Sequence, residues 1–162
     1  MRGSFAFALA AALVVFAFPA SAQQQEEPVA PYEQADANAG AAPITDPQVL
    51  EAFHGRDGIA HIANRTIDLA LADPDLGPIF RPFDMVRLRR TLNEQFCYLL
   101  GGGCTYTGRD MRTAHTDMGV DTRYFNRLVV HLRTAMREEG VPFAMQNRFL
   151  ALLAPMHGDI VE

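Results

Sequence analysis

Tyr106-Thr107-Gly108-Arg109-Asp110-Met111-Arg112-Thr113-Ala114-His115 is the stretch on which the fold turns. It follows Leu99-Leu100-Gly101-Gly102-Gly103 and precedes two long amphipathic segments. A single histidine thus ends a very short helical piece, between a helix broken by glycines and a strongly apolar one. Such an arrangement offers one imidazole to a flat apolar slot.

Outward from this stretch the periodicity is helical throughout, and no strand signal competes. Upstream, Ile59, Ile62, Ala63, Ile67 and Ala70 share one face, and Asp73-Pro74 closes that helix. An irregular piece from Leu76 to Phe83 carries Pro78, Phe80 and Pro82. Asp84 reads as the N-cap of the next helix, whose stripe is Met85, Leu88, Leu92, Phe96 and Leu99, stopped by the three glycines. Downstream, Asp121 caps a helix with Phe125, Leu128, Val129, Leu132 and Met136 on its face, ended by Gly140. Pro142 opens the last helix, with Phe149, Leu150, Leu153, Met156 and Ile160 facing inward and Pro155 expected to kink it.

The chain is therefore all-α. On periodicity alone, a plain four-helix bundle fits as well. Three features weigh against it. The connection from Gly101 to Val120 is too long and broken for a bundle loop, Phe80 leaves an aromatic between the first two long helices, and the isolated turn ending at His115 has no use in a bundle.

Residues 1–22 read as a secretory signal peptide: Arg2, an apolar run from Phe5 to Pro19, and the small-residue cleavage site Ala20-Ser21-Ala22. The run is shorter than the roughly 20 residues a membrane-spanning helix wants. The cleavage site is not followed by a cysteine that could carry a lipid. The expectation is a periplasmic or secreted protein with no stable membrane insertion after cleavage. Residues 23–48, rich in Gln, Glu, Ala and Pro without periodicity, read as a disordered linker, leaving 49–162 as one domain. The net charge of -5, without a basic cluster, argues against nucleic acid as a partner. Every basic side chain other than histidine is arginine.

Cys97 and Cys104 lie seven residues apart across the glycines. In an oxidising compartment they read as a disulfide, with two buried free thiols as the alternative; the spacing is not that of a Cys-x-x-Cys redox pair.

In order and spacing the chain resembles the group I truncated haemoglobins, the two-over-two globins, over roughly residues 50–160. The resemblance rests on Ala72-Asp73-Pro74, the aromatic Phe80, Asp84-Met85-x-Arg87-Leu88, Leu100-Gly101-Gly102, Tyr106-Thr107-Gly108, His115, Gly140-Val141-Pro142 and Leu153-Ala154-Pro155. It implies a two-over-two helical sandwich around haem b, with His115 as the fifth ligand of the iron; a Cys-x-x-Cys-His attachment motif is absent. Carried over by position, Phe80 meets the porphyrin edge and Leu88, Leu92 and Phe96 line the distal side. Met111, Val120, Phe125 and Leu128 line the proximal side and floor. Each of these residues also suits an ordinary core. Arg112, one turn before His115, is the candidate partner for a propionate, although an exposed arginine has the same sequence signature. His54, His61, His131 and His157 read as surface or hydrogen-bonded side chains, with Gly55 and Gly58 interrupting any face shared by the first two.

The chain departs from the family on the distal side. Many relatives carry a tyrosine in the first long helix, often with a glutamine in the next, to hydrogen-bond oxygen. The matching positions are Ile67 and Leu92, and Leu88 at the distal gate is apolar too. Losing both donors removes about 1–3 kcal/mol of stabilisation. Gln95 is the candidate for a substitute donor.

The function expected is an exported haem protein that reversibly binds oxygen, nitric oxide or carbon monoxide, with an unknown electron donor. A haem enzyme such as a nitric oxide dioxygenase or weak peroxidase is the alternative, set lower because a distal His or Arg pair is not evident. A haem-free helical module that binds a partner through its acidic tail is the third reading.

Overall fold

The computed structural model describes residues 25–162, so the leader expected over 1–22 lies outside them. All regular elements among the described residues are helical: α1 (Pro47–Ala52), α2 (Gly55–Ala72), α3 (Gly77–Phe80), α4 (Met85–Leu99), α5 (Met111–His115), α6 (Thr122–Glu138), α7 (Phe143–Leu153) and α8 (His157–Ile160), with 3-10 turns at Asp36–Ala39 and Ala154–Met156.

Aspartates start four of these helices. Asp46, Asp84, Asp110 and Asp121 each accept a backbone N–H of the first turn of α1, α4, α5 and α6, at 2.8–3.1 Å. Each such cap is worth about 1 kcal/mol. α2 begins differently: His54 and Gly55 take positive φ, 58° and 68°, turning the chain sharply from α1 into α2. Gly58 lies inside α2 and does not interrupt it; a Cβ there would run into the Phe53 carbonyl. Pro155 breaks the last helix where a kink was expected. Lacking an N–H and crowding the carbonyl four residues back, it forces the 3-10 turn that separates α7 from α8.

The pairs α2/α4 and α6/α7 make the two layers of a two-over-two sandwich, with α2 packed on both α4 and α6. The short α5 rests on α8. Phe149 fixes the centre, edge-on to Phe53 at 5.6 Å and to Phe96 at 4.9 Å between ring centroids. Cys97 and Cys104 form a disulfide between the last turn of α4 and the loop that leads to α5.

At the corner after α2, the buried Asp73 carboxylate accepts from the N–H groups of Asp75 and Leu76 at 2.8 and 3.2 Å. It also accepts from Arg127 Nε at 2.6 Å and pairs with His131 Nε2 at 2.7 Å, both on α6. The Arg127 guanidinium, helped by these other partners, holds the Asp73 carboxyl well below the usual range.

Residues 25–46, read from composition as disordered, lie against the helices in a defined course. Ala39 is fully buried, the Ile44 N–H donates to the Leu99 carbonyl at 2.8 Å, and Asp36 accepts from the Tyr106 N–H at 2.8 Å. Low apolar content says little here, because backbone groups and charges do the anchoring.

Candidate functional site

A cavity of about 460 Å³ opens between α4 on one side and α5 and α6 on the other, within the usual size of a small-molecule site. His115 and the eight apolar residues carried over as cofactor contacts all line it. Phe80 comes from α3, Leu88, Leu92 and Phe96 from α4, and Met111 and His115 from α5. Val120 precedes α6, which supplies Phe125 and Leu128.

His115 is oriented by its own helix. Its Nδ1 lies 2.7 Å from the Met111 carbonyl, an obligate acceptor, so Nδ1 carries the proton and the Nε2 lone pair is free to bind a metal. α5 has only five residues and is too short to stand alone, so its position comes from outside: the Asp110 cap, α8 beneath it and the preceding loop. In that loop Tyr106 is buried, and its hydroxyl donates to the Arg109 carbonyl at 2.9 Å. Burial pushes the Tyr106 phenol up to about 12. Gly108 lies against the same ring, where any Cβ would overlap it, so only glycine passes.

On the opposite wall the polar groups are committed to the protein. α2 reaches the cavity through Thr66, whereas Ile67 is 1% exposed and packs in the core without lining it. Thr66 Oγ1 donates to the Ile62 carbonyl at 2.8 Å, and Thr91 Oγ1 to the Arg87 carbonyl at 3.0 Å. Gln95 lines the cavity, but its amide nitrogen donates to the Ala39 carbonyl at 3.0 Å and lies 3.3 Å from Met111 Sδ.

Arg87 and Arg109 line the cavity beside Asp84 and Tyr32. Arg112, expected there, is elsewhere. Its side chain is 72% exposed and pairs with Asp159 on α8, because the single turn of α5 that points His115 into the cavity turns Arg112 away from it. Arg87 belongs to a motif quoted from sequence, so its place was open to inference; Thr66 carried no signal beyond its position on the α2 face, and Tyr32 none inside a low-complexity segment. The other histidines lie apart from the cavity. His54 meets the Glu139 carbonyl, His61 its carboxylate and His131 Asp73, and His157 packs edge-on to Phe125.

Residues 48–162 match the bacterial-like globin family. A group 1 truncated hemoglobin from Mycolicibacterium paratuberculosis is 28% identical over 112 residues, covering 69% of this chain and 82% of that protein. Another from Chlamydomonas moewusii is 32% identical over 89 residues, 54% of this chain and 52% of its own length. Among solved structures, the truncated hemoglobin of Tetrahymena pyriformis in its Fe(III) form superposes with a TM-score of 0.67 at 23% identity, over 70% of this chain and 97% of that one. The 2/2 hemoglobin of Synechococcus gives a TM-score of 0.65 at 20% identity, over the same shares of the two chains.

Proposed function

Because the chain belongs to the bacterial-like globin family, we propose that it is a b-type haem protein that reversibly binds a diatomic gas, with His115 on the iron. The observation that carries this reading is the His115 imidazole. It sits in a largely apolar cavity with its Nδ1 held on the Met111 carbonyl, leaving Nε2 as an oriented donor nitrogen. The cavity fits a flat apolar macrocycle with acidic groups at its edge. Leu88, Leu92 and Phe96 would cover one face, Met111, Val120, Phe125 and Leu128 the other, and Phe80 an edge. Arg87 and Arg109 would meet the carboxylates, taking the role first read for Arg112. When bound, haem supplies an iron with one further coordination site for the gas. The protein's part is to hold that site dry and to give the iron one strong bond.

The committed donors on the α4 side set the preference. A gas that needs a hydrogen-bond donor would find Thr66, Thr91 and Gln95 already engaged and would be held weakly. Carbon monoxide and nitric oxide need less polar help.

Export is part of the proposal: residues 1–22 have the form of a cleaved leader, and the Cys97–Cys104 bond suits an oxidising compartment. The test is spectroscopic. Protein purified from an exporting host should begin at Gln23 and show an intense Soret band that shifts on reduction and on carbon monoxide. A chain that takes up no haem, even when it is supplied in excess, removes the reading.

A further inference from the structure

We propose that the segment ahead of the globin domain, residues 25–34, builds one wall of the cofactor cavity and helps to retain what the cavity holds. This rests on the haem reading above. The family match begins at residue 48, so nothing in that likeness assigns the segment a role.

Val29 and Tyr32 both line the cavity. The segment is fastened to two different walls. On the α4 side, the Glu26 carboxylate bridges two guanidinium groups, Arg90 through Nε and through Nη2 at 3.0 Å, and Arg87 through Nε at 3.3 Å. The Glu27 N–H donates to Asp84 at 2.7 Å, and Arg87 reaches back to the Glu27 carbonyl. On the other side, the Tyr32 hydroxyl donates to the Thr107 carbonyl at 2.7 Å, and the Arg109 guanidinium lies 5.1 Å above the Tyr32 ring. Arg90 ties the two sides together, since it also holds Glu94 at 2.8 Å and Thr107.

An isolated surface ion pair would contribute little. This one is different in kind: the Glu26 and Arg87 side chains are 26% and 22% exposed, and each belongs to a network with several fixed partners. The segment therefore spans α4 and the loop that carries the chain to His115. Opening the cavity on this side requires breaking the network, so loss of the cofactor through it is slowed.

The experiment measures haem loss from the full exported chain to an excess of a haem-free globin acceptor, at low and high salt. Tyr32→Ala removes the wall itself and is expected to speed loss roughly tenfold, the equivalent of about 1.4 kcal/mol. Tyr32→Phe, which keeps the ring, should restore most of the retention. Glu26→Gln leaves the cavity lining intact but loosens the fastening. It should speed loss more modestly and weaken the parent's salt dependence. Loss rates for Tyr32→Ala and Glu26→Gln within twofold of the parent overturn the proposal, as does slower loss in Glu26→Gln, which would make Glu26 a competitor for Arg87.

Amide hydrogen exchange on the haem-free chain gives an independent reading. Residues 26–34 and 104–110 should be protected together in the parent and lose protection together in Glu26→Gln. An unprotected parent segment overturns the wall. Failure of the chain to bind haem at all would instead overturn the gas-binding reading, and exchange alone would then decide on the segment.

Discussion

At His115, one side chain has a nitrogen fixed by Met111 and the other nitrogen free. His115→Ala should therefore abolish stable haem uptake or leave a loosely held haem with altered ferrous and carbonmonoxy spectra. Parent-like spectra in the mutant would exclude His115 as the ligand. Gln95 makes the opposite case, a polar residue in the cavity whose work is structural. Gln95→Leu strands the buried Ala39 carbonyl and should destabilise the fold by about 1–3 kcal/mol in denaturant unfolding. Oxygen release from the loaded protein should stay within about twofold, since the lost hydrogen bond never reached the gas; markedly faster release would show that Gln95 is a donor after all. The nine cavity-lining residues were legible because they belong to apolar helix stripes or to motifs of fixed spacing. Ile67 and Arg112 do not line the cavity, and Thr66, beside Ile67, does, because one position along a helix changes which face a side chain occupies. Neighbouring residues on a helix point about 100° apart, and no sequence pattern fixes the phase that finely.

Among the elements, α5 depends most on its surroundings. Asp110→Ala removes its cap and should cost about 1 kcal/mol. The loss should appear as faster exchange of the Thr113 amide and a less firmly held His115. The Cys97–Cys104 bond restrains the same loop from its other end, closing a short ring. By the entropy account, Cys97→Ser with Cys104→Ser should lower stability by about 2–3 kcal/mol. Equal melting temperatures for parent and double mutant would show that the bond contributes nothing. The aspartate caps of α4 and α6 were plain in the sequence because a capping side chain acts within three residues. Pro155 was recognised as a disturbance, but its severity depends on whether α8 finds a separate seat. It does, against α5, which is a tertiary fact.

For the whole molecule, Asp73 joins the α2–α3 corner to α6 and so couples the position of Phe80 to the second layer. Its carboxyl is depressed below the ordinary value of 3.8. The stability it contributes is therefore fully present above that value and lost as pH falls toward the lowered one. Asp73→Asn should unfold more readily at neutral pH, yet lose less additional stability than the parent on acidification below pH 3.8. Parallel acid profiles for the two would show that Asp73 is no more strongly partnered folded than unfolded. The largest gap between sequence and structure also lies at this scale. Residues 25–46 lack periodicity because they form no α-helix before α1. They are held by contacts with residues some 40 to 80 positions away, such as Glu26 with Arg90, Tyr32 with Thr107 and Ile44 with Leu99. A local reading of composition has no access to these.

The committed hydroxyls and amide on the wall built by α2 and α4 also bear on how the protein would choose among gases. A wall whose hydroxyls and amide are already engaged ranks its guests little by polarity, so their partition would follow intrinsic iron affinity and supply. The ratio of carbon monoxide to oxygen affinity should then be high, nearer that of unassisted haem than that of a storage globin. Occupancy would track the atmosphere of the compartment, and the protein would report on local gas composition instead of buffering a single gas.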